Sequence, residues 1–169
     1  MGNDMTDLLR QSALYRFNES AERIEKCLSM LSEEQILSRP NGVSNSIANI
    51  LIHLNGNITQ YIMSGLAGKP DHRIRDLEFE AISSINKEVL QSLMEETFMQ
   101  ASDVILHLDE AQWKATYLLQ CFEMSGVDAV LHVVEHASYH TGQITYITKM
   151  LTNQHTNYYE GIDLNVHNA

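Results

Sequence analysis

The chain has 169 residues, 44% of them hydrophobic, which is enough to form the core of one domain. Its formal net charge of −11 at pH 7 argues against nucleic acid and anionic membrane surfaces as partners. Only 2 Pro and 8 Gly are present, and the β-branched residues fall in segments with helical rather than alternating periodicity. We therefore expect an all-α protein.

The first half of the chain predicts two long helices with a short helical turn between them. The first helix covers residues 4 to 31, with apolar side chains on one face. Residues 32–35 have the form of a capping box and predict one short turn. Asn45 or Ser46 caps the second helix, which continues to about Ile62.

The second half of the chain predicts two more long helices. Residues 65–75 contain Gly and Pro and are expected to form a loop, and the charged run 73–80 shows no regular element. A third helix covers residues 86 to 108, capped by Ser or Asn at its start. Residues 109–126 lack helical periodicity and predict an irregular, partly packed connection, after which the fourth helix runs from 127 to 151.

These four segments, without repeats or an interdomain linker, predict a four-helix bundle. We expect a single domain over residues 1–152 and a polar, loose tail over residues 153–169. No apolar run approaches the roughly 20 residues of a membrane span, and the N-terminus lacks the features of a signal peptide. Cys27 and Cys121 are too few for a disulfide framework, so we interpret them as ordinary thiols and predict a cytoplasmic protein.

The fourth predicted helix carries histidines at a spacing typical of metal sites. His136 and His140 are four residues apart, so both rings lie on one side of the helix and can reach a common point. A third ligand must come from another segment, and the best candidate is His53 in the apolar run Ile-Leu-Ile-His-Leu. The sequence therefore indicates a three-histidine site for a divalent metal.

Helical phase also orients the neighbours of this pair. With Val134 and Ala137 at the centre of the buried face, His132 is predicted to point outward. Gln143 lies on the same side as the pair, one turn beyond it, and is a candidate to support a ligand or line a pocket. Asn57 is a further candidate on the second helix, on the side of His53.

Another interpretation of the histidines stays open at this point. A chain with 8 His can acquire one such pair by chance, and exposed or hydrogen-bonded core histidines need no metal. The combination with His53 favours a site, because an imidazole beside the core needs partners for its nitrogens. The sequence lacks the HExxH, Glu-x-x-His and Gly-x-Ser-x-Gly motifs and a phosphate-binding Gly-rich loop, which argues against metalloproteases, di-iron bundles, α/β-hydrolases and nucleotide-binding proteins.

The sequence His-Ala-Ser-Tyr-His-Thr-Gly-Gln at residues 136–143, together with a lone His53 on the second helix, resembles the DinB-like metal-binding bundles. Segments 45–57 and 73–80 resemble, more narrowly, a functionally uncharacterised branch of that superfamily. The resemblance implies up-down-down-up helix order, a divalent metal on the three histidines, and a homodimer. Characterised relatives imply a metal-dependent transferase or isomerase that uses a low-molecular-weight thiol.

One position departs from that resemblance. Many relatives have Arg directly after the last ligand, whereas this chain has Thr141, so a substrate contact by that Arg is not expected here. Arg73 and Arg75 are candidates to replace it, and Asp76 and Glu78 are candidates to orient ligand imidazoles. The alternative is that the charged run containing these four residues is a solvated loop held by its own ion pairs.

A three-histidine site leaves a coordination position for water or substrate, as in catalytic zinc sites. Imidazole suits several metals, of which we expect zinc or nickel. Two functions remain open. One is an enzyme whose metal activates a bound thiol or water for reaction with a small-molecule substrate. The other is a binding or regulatory bundle whose metal is not catalytic.

Overall fold

The computed structural model describes residues 4–167 of the chain. Residues 1–3 and 168–169, at the ends of the predicted domain and the predicted tail, lie outside the described residues. The helices, in chain order, are α1 (Met5–Ser29), α2 (Glu33–Leu37), α3 (Ile47–Ile58), α4 (Lys87–His107), α5 (Glu110–Lys114) and α6 (Gly126–Thr152).

Three helices begin where the sequence predicts a cap. Ser32 and Ser46 each accept a hydrogen bond from the backbone N–H three residues later, and each completes a capping box. The side chain of Asn86 accepts from the N–H of Val89 at the start of α4. A cap of this kind stabilises a helix by about 1 kcal/mol. The predicted beginnings of α2, α3 and α4 are thus confirmed.

The four long helices form a bundle in up-down-down-up order, which confirms the predicted fold class. α1 packs against α4 and α6, and α3 packs against the same two helices, so α1 and α3 occupy opposite corners. Fully buried apolar side chains from all four helices fill the centre, among them Phe17, Leu51, Ala101 and Val133. No helix within residues 4–167 is long and apolar enough to cross a membrane.

The second long helix does not end near Ile62 as predicted. It continues from α3 into a π-helical segment, Thr59–Leu66. Tyr61, Met63 and Leu66 are buried there, so the apolar face extends beyond the predicted end. Gly65 lies inside this segment and does not end the helix. A Cβ atom at this position would lie 2.5 Å from Leu119 Cδ2, so glycine permits close packing against Leu119.

The predicted irregular connection before α6 is wrong, because the chain there forms short regular elements. After α5, strands β1 (Thr116–Leu119) and β2 (Phe122–Ser125) pair as an antiparallel hairpin. Gln120 adopts a positive φ of 57° in its turn. Trp113 is buried, as a partly packed connection requires. Strands of four residues are too short to show a periodicity in the sequence.

The charged run after the loop also contains a regular element, a 3₁₀ helix over Arg75–Phe79. The predicted loose tail is wrong in its first part, because Thr156 is buried and Tyr158 packs on the core. The Tyr158 hydroxyl lies 3.0 Å from Cys27 Sγ and 2.7 Å from Thr145 Oγ1. Cys27 is a free, buried thiol, in line with its interpretation from the sequence.

Candidate metal centre

Three imidazoles converge in the cleft between α3 and α6. His53 comes from α3, and His136 and His140 come from successive turns of α6. One ring nitrogen of each lies within 4.8 Å of the other two, and the Nε2 atoms of His53 and His136 are 2.9 Å apart. The structure therefore brings together the three histidines that the sequence predicted as ligands.

The outer nitrogens of two of these rings are held by acceptor atoms. His53 Nδ1 lies 2.8 Å from Glu78 Oε2, and His140 Nδ1 lies 2.7 Å from Gln143 Oε1. A carboxylate or amide oxygen can only accept, so we assign the ring proton to Nδ1 in both cases. Nε2 then carries the free lone pair in both rings. His140 Nε2 is buried and has no hydrogen-bond partner among residues 4–167.

This donor set fits a metal ion. A buried acceptor without a partner is unfavourable, and a cation among the three rings would satisfy it. Histidine ligands usually donate their other ring N–H to a carboxylate or carbonyl, as His53 and His140 do here. The geometry thus brings the three rings together and fixes the tautomer of two of them, His53 and His140.

Burial keeps the three imidazoles neutral at pH 7. Desolvation lowers the pKa of His53 and of His140, outweighing the hydrogen bonds to Glu78 and Gln143 that raise them. For His136, desolvation and then the neighbouring His140 and His53 lower the pKa to about 3. Because only neutral imidazole binds a metal, these shifts prepare all three rings as ligands.

The same shifts predict that the metal-free protein loses stability in mild acid. The unfolded chain binds a proton at His136 below its ordinary pKa of 6.5, whereas the folded chain binds it only near pH 3. The contribution of His136 to the free energy of unfolding is complete above pH 6.5 and is lost as the pH falls. At pH 5 the loss from this residue alone is about 2 kcal/mol. Urea denaturation at pH 7.5 and pH 5 measures it. A His136→Gln variant should show a smaller difference between the two pH values, and an unchanged difference would contradict the assignment.

A buried ion pair fixes the carboxylate behind His53. Arg73 donates from Nε to Glu78 Oε1 over 2.7 Å and from Nη2 to Oε2 over 2.9 Å. The two side chains are only 5% and 7% exposed. Arg73 also donates from Nη1 to Gln60 Oε1 over 2.9 Å. Glu78 is therefore held in one orientation while it accepts from His53.

The segment that carries Glu78 is fastened to α3 by its backbone. Asn49 Nδ2 donates to the carbonyl oxygens of Glu78 and Glu80 over 2.9 and 2.8 Å. Arg39 in turn donates to Asn49 Oδ1 over 3.0 Å. A Cβ atom on Gly56 would lie 2.1 Å from Glu78 Oε1, so only glycine lets the carboxylate reach this position. The carboxylate's position thus depends on Asn49 and Gly56 as well as on Arg73.

Residues 4–160 of the sequence match the family described as "Protein of unknown function (DUF1572)". The chain belongs to this family. Among proteins with curated functions, none matches it significantly. The family match covers all four long helices and all three histidines.

Solved structures show the same fold. A conserved protein from Enterococcus faecalis superposes with a TM-score of 0.73 at 12% identity, covering 85% of this chain and 97% of that one. A DinB-like protein from Bacillus cereus gives 0.67 at 13% identity, covering 83% and 91%. A DinB-like protein from Bacillus subtilis gives 0.66 at 12% identity, covering 85% and 94%. The resemblance to DinB-like bundles is thereby confirmed, and at these identities it concerns the fold.

In this DUF1572 chain the predicted supporting residues divide into two groups. Glu78, Gln143 and Arg73 contact the ligand rings or each other, as described above. Asp76 is exposed and is not a hydrogen-bond partner of the three imidazoles within the described residues. Arg75 is exposed and lies 4.9 Å above the Phe79 ring. The alternative of a solvated loop is wrong for Arg73 and Glu78, because their ion pair is buried.

The prediction that His132 points outward is wrong. Its ring is half-buried and stacks on Tyr61, with centroids 4.4 Å apart, and on His136, with centroids 5.5 Å apart. Its Nε2 lies 3.3 Å from Asn57 Nδ2. Asn57, a predicted supporting residue, therefore contacts this fourth histidine, and its buried Oδ1 has no partner among the described residues.

The error has a physical cause. The buried face of α6 includes Val133 and Ala137, whereas Val134 is only partly buried. The midpoint of Val133 and Ala137 lies about 50° closer to the histidines than the predicted midpoint of Val134 and Ala137, from the 100° that each residue adds around a helix. The sequence does contain a signal that Tyr61 and Asn57 lie near the histidines. Tyr61 and Asn57 follow His53 at intervals of four residues and therefore share its side of the helix.

Proposed function

We propose that His53, His136 and His140 hold one divalent metal ion, zinc or nickel, in a metal-dependent enzyme that acts on a small molecule. The observation that carries the proposal is the convergence of three ring nitrogens within 4.8 Å, one of them buried without a partner in the described chain. Three neutral imidazoles are the ligand set of several catalytic zinc sites, in which a fourth position stays open.

The protein's own residues prepare this chemistry. Three neutral ligands leave the full positive charge on a divalent ion, which would lower the pKa of a thiol or water that binds it. Glu78 orients His53 and strengthens it as a donor, and Gln143 does the same for His140. Because a thiol binds such an ion as thiolate, we propose a low-molecular-weight thiol as cosubstrate. The resemblance to DinB-like enzymes supports this choice and a homodimer, and the two isolated cysteines support a cytoplasmic location.

Cobalt substitution tests the proposal. Metal-free protein is titrated with Co²⁺ and then with small thiols while the visible and near-ultraviolet spectra are recorded. We expect one equivalent of cobalt per chain, and a near-ultraviolet charge-transfer band when a thiolate binds. Absence of that band at millimolar thiol would remove the thiol cosubstrate and leave a metal-binding bundle. Failure to bind cobalt, zinc or nickel at all would overturn the proposed metal centre.

Glu78→Gln is expected to lower metal affinity by roughly 10 to 100-fold, the usual effect of removing a carboxylate behind a histidine ligand. Glu80→Gln is the matched control, because Glu80 is exposed and only its backbone contacts Asn49. Competition with a chromophoric chelator measures both affinities.

The variant also leaves Arg73 without its buried partner, which by itself destabilises the fold. The double variant Arg73→Met/Glu78→Gln removes both charges and is expected to regain stability but not affinity. Equal affinity in Glu78→Gln and wild type would contradict a role for the carboxylate at the metal.

A further inference from the structure

A groove lies along the cleft between α3 and α6, beside Gln143, whose side chain contacts His140. It has a volume of about 410 Å³ and lies between the start of α3 and the second half of α6. Its apolar lining comes from Val43, Ile50, Tyr146, Ile147 and Met150. Because each helical residue advances 1.5 Å, the wall at Ile50 begins about 5 Å along the axis from His53. The groove therefore lies within the length of a small molecule from the candidate metal centre.

The groove differs in charge from two other grooves of similar size in the described chain. None of the described residues that line it is Asp, Glu, Lys or Arg. Two grooves of similar size, about 440 and 420 Å³, include Arg16 and Glu19 in one case and Asp71 and Arg73 in the other. A charged ligand would lose water in the uncharged groove without gaining an ion pair. The lining therefore favours uncharged ligands.

One side chain belongs to both the groove and the candidate metal centre. Gln143 accepts the His140 Nδ1 hydrogen bond through Oε1, and the same side chain lines the groove. Its Nε2 donates no hydrogen bond to any residue within the described chain. The amide can thus donate to a ligand carbonyl or hydroxyl while it orients a metal-ligating ring.

We propose that the groove binds the uncharged, largely apolar part of the substrate of the metal site. This inference rests on the proposed metal-dependent function and specifies its substrate class. Its volume, its mainly apolar lining and its few polar side chains, Ser44, Asn45 and Gln143, are the usual properties of small-molecule sites. Charged thiols and charged substrates are accordingly disfavoured in this groove.

The test compares two thiols that differ in one charge. Cobalt-loaded protein is titrated with 4-phenylbutane-1-thiol and with the same thiol bearing a carboxylate on its ring. We expect at least tenfold weaker binding of the carboxylate. Met150→Glu should weaken binding of the neutral thiol about tenfold. Met150→Lys should reduce the ratio between the affinities for the neutral and the charged thiol. Met99→Glu is the matched control, because Met99 on α4 is 66% exposed and Met150 is 54% exposed. Met99→Glu should leave the affinities for both thiols unchanged.

The outcomes separate this inference from the proposed function. Suppose that cobalt binds normally but both thiols bind with equal affinity, or that Met150→Glu has no effect. Either result would overturn the proposed role of the groove and leave the proposed metal centre intact. If cobalt or the thiols do not bind, the fluorescence of the neutral dye Nile red shows whether the groove binds an uncharged, apolar ligand. Dye binding lost in Met150→Glu but kept in Met99→Glu supports the groove, and unchanged binding overturns it. A wild-type dimer that Met150→Glu converts to a monomer in light scattering would show an interface instead and overturn the inference.

Discussion

Replacing His136 with alanine is expected to abolish stoichiometric metal binding. His136 is the ring nearest to His53, with 2.9 Å between their Nε2 atoms, and removing it leaves two ligands on different helices. The loss of affinity should exceed the roughly 10 to 100-fold expected for the supporting Glu78. The fold should persist, because alanine has high helix propensity and the substitution removes a desolvated imidazole from α6. Metal analysis after gel filtration and a thermal melt measure the two effects.

The same substitution at His53 and His140 should have the same effect, and His107→Ala serves as control because His107 is exposed on α4. His132→Ala decides between neighbouring sites, since His132 has the same spacing from His136 as His140 has. Retention of metal in His136→Ala together with its loss in His132→Ala would contradict the proposed ligand set.

Metal should also raise the melting temperature of the wild-type protein and not that of His136→Ala. Binding to the native state alone contributes about 2.7 kcal/mol at a hundredfold excess over Kd. Because the buried apolar core is continuous without a metal, chelation should lower stability without unfolding the chain. A random-coil circular dichroism spectrum after chelation would instead make the site a requirement for folding.

Gly56→Ala is expected to destabilise the protein although alanine is the better helix former. The exchange gains about 1 kcal/mol of helix propensity. The new Cβ would however lie 2.1 Å from Glu78 Oε1 and 2.9 Å from Arg73 Nε, so it disrupts their buried ion pair. Breaking such a pair costs roughly 3 to 5 kcal/mol. A net loss of about 2 to 4 kcal/mol follows, with weaker metal binding because Glu78 no longer holds His53.

Gly142→Ala provides a control of opposite sign. Gly142 also lies inside a long helix, yet apart from its chain neighbours and the backbone of its own helix, no described atom lies within 4 Å of a Cβ placed there. We expect this variant to be more stable than wild type by about 0.5 to 1 kcal/mol. Urea denaturation of both variants measures the contrast. An equal gain in both would show that Glu78 moves aside at no cost and that its position is not fixed by the fold.

Local signals in the sequence were sufficient for the helices and for part of the candidate site. Ser46 and Asn86 mark helix starts because a cap involves residues within one turn of each other. The His136 and His140 pair follows from helical spacing alone, for the same reason. Their binding of a metal stays a prediction, whereas their convergence with His53 is a property of the structure.

Short elements and helix rotation were not predictable in the same way. The β1–β2 hairpin consists of two four-residue strands, too few for a pattern to appear. The wrong orientation of His132 came from a small error in the buried face of α6, and a few tens of degrees decide whether a ring faces solvent or Tyr61.

The sequence by itself determined the four long helices and the spacing of the histidines, because these depend on contacts between residues a few positions apart. Only the tertiary structure decided which groups surround them. Glu78 lies 25 positions from His53, and Gly56 gives it room because of how the 3₁₀ helix docks on α3. That docking depends on Asn49 and Arg39, whose hydrogen bonds span about 30 and 40 residues. No periodicity encodes such pairings, since they exist only after the chain has packed.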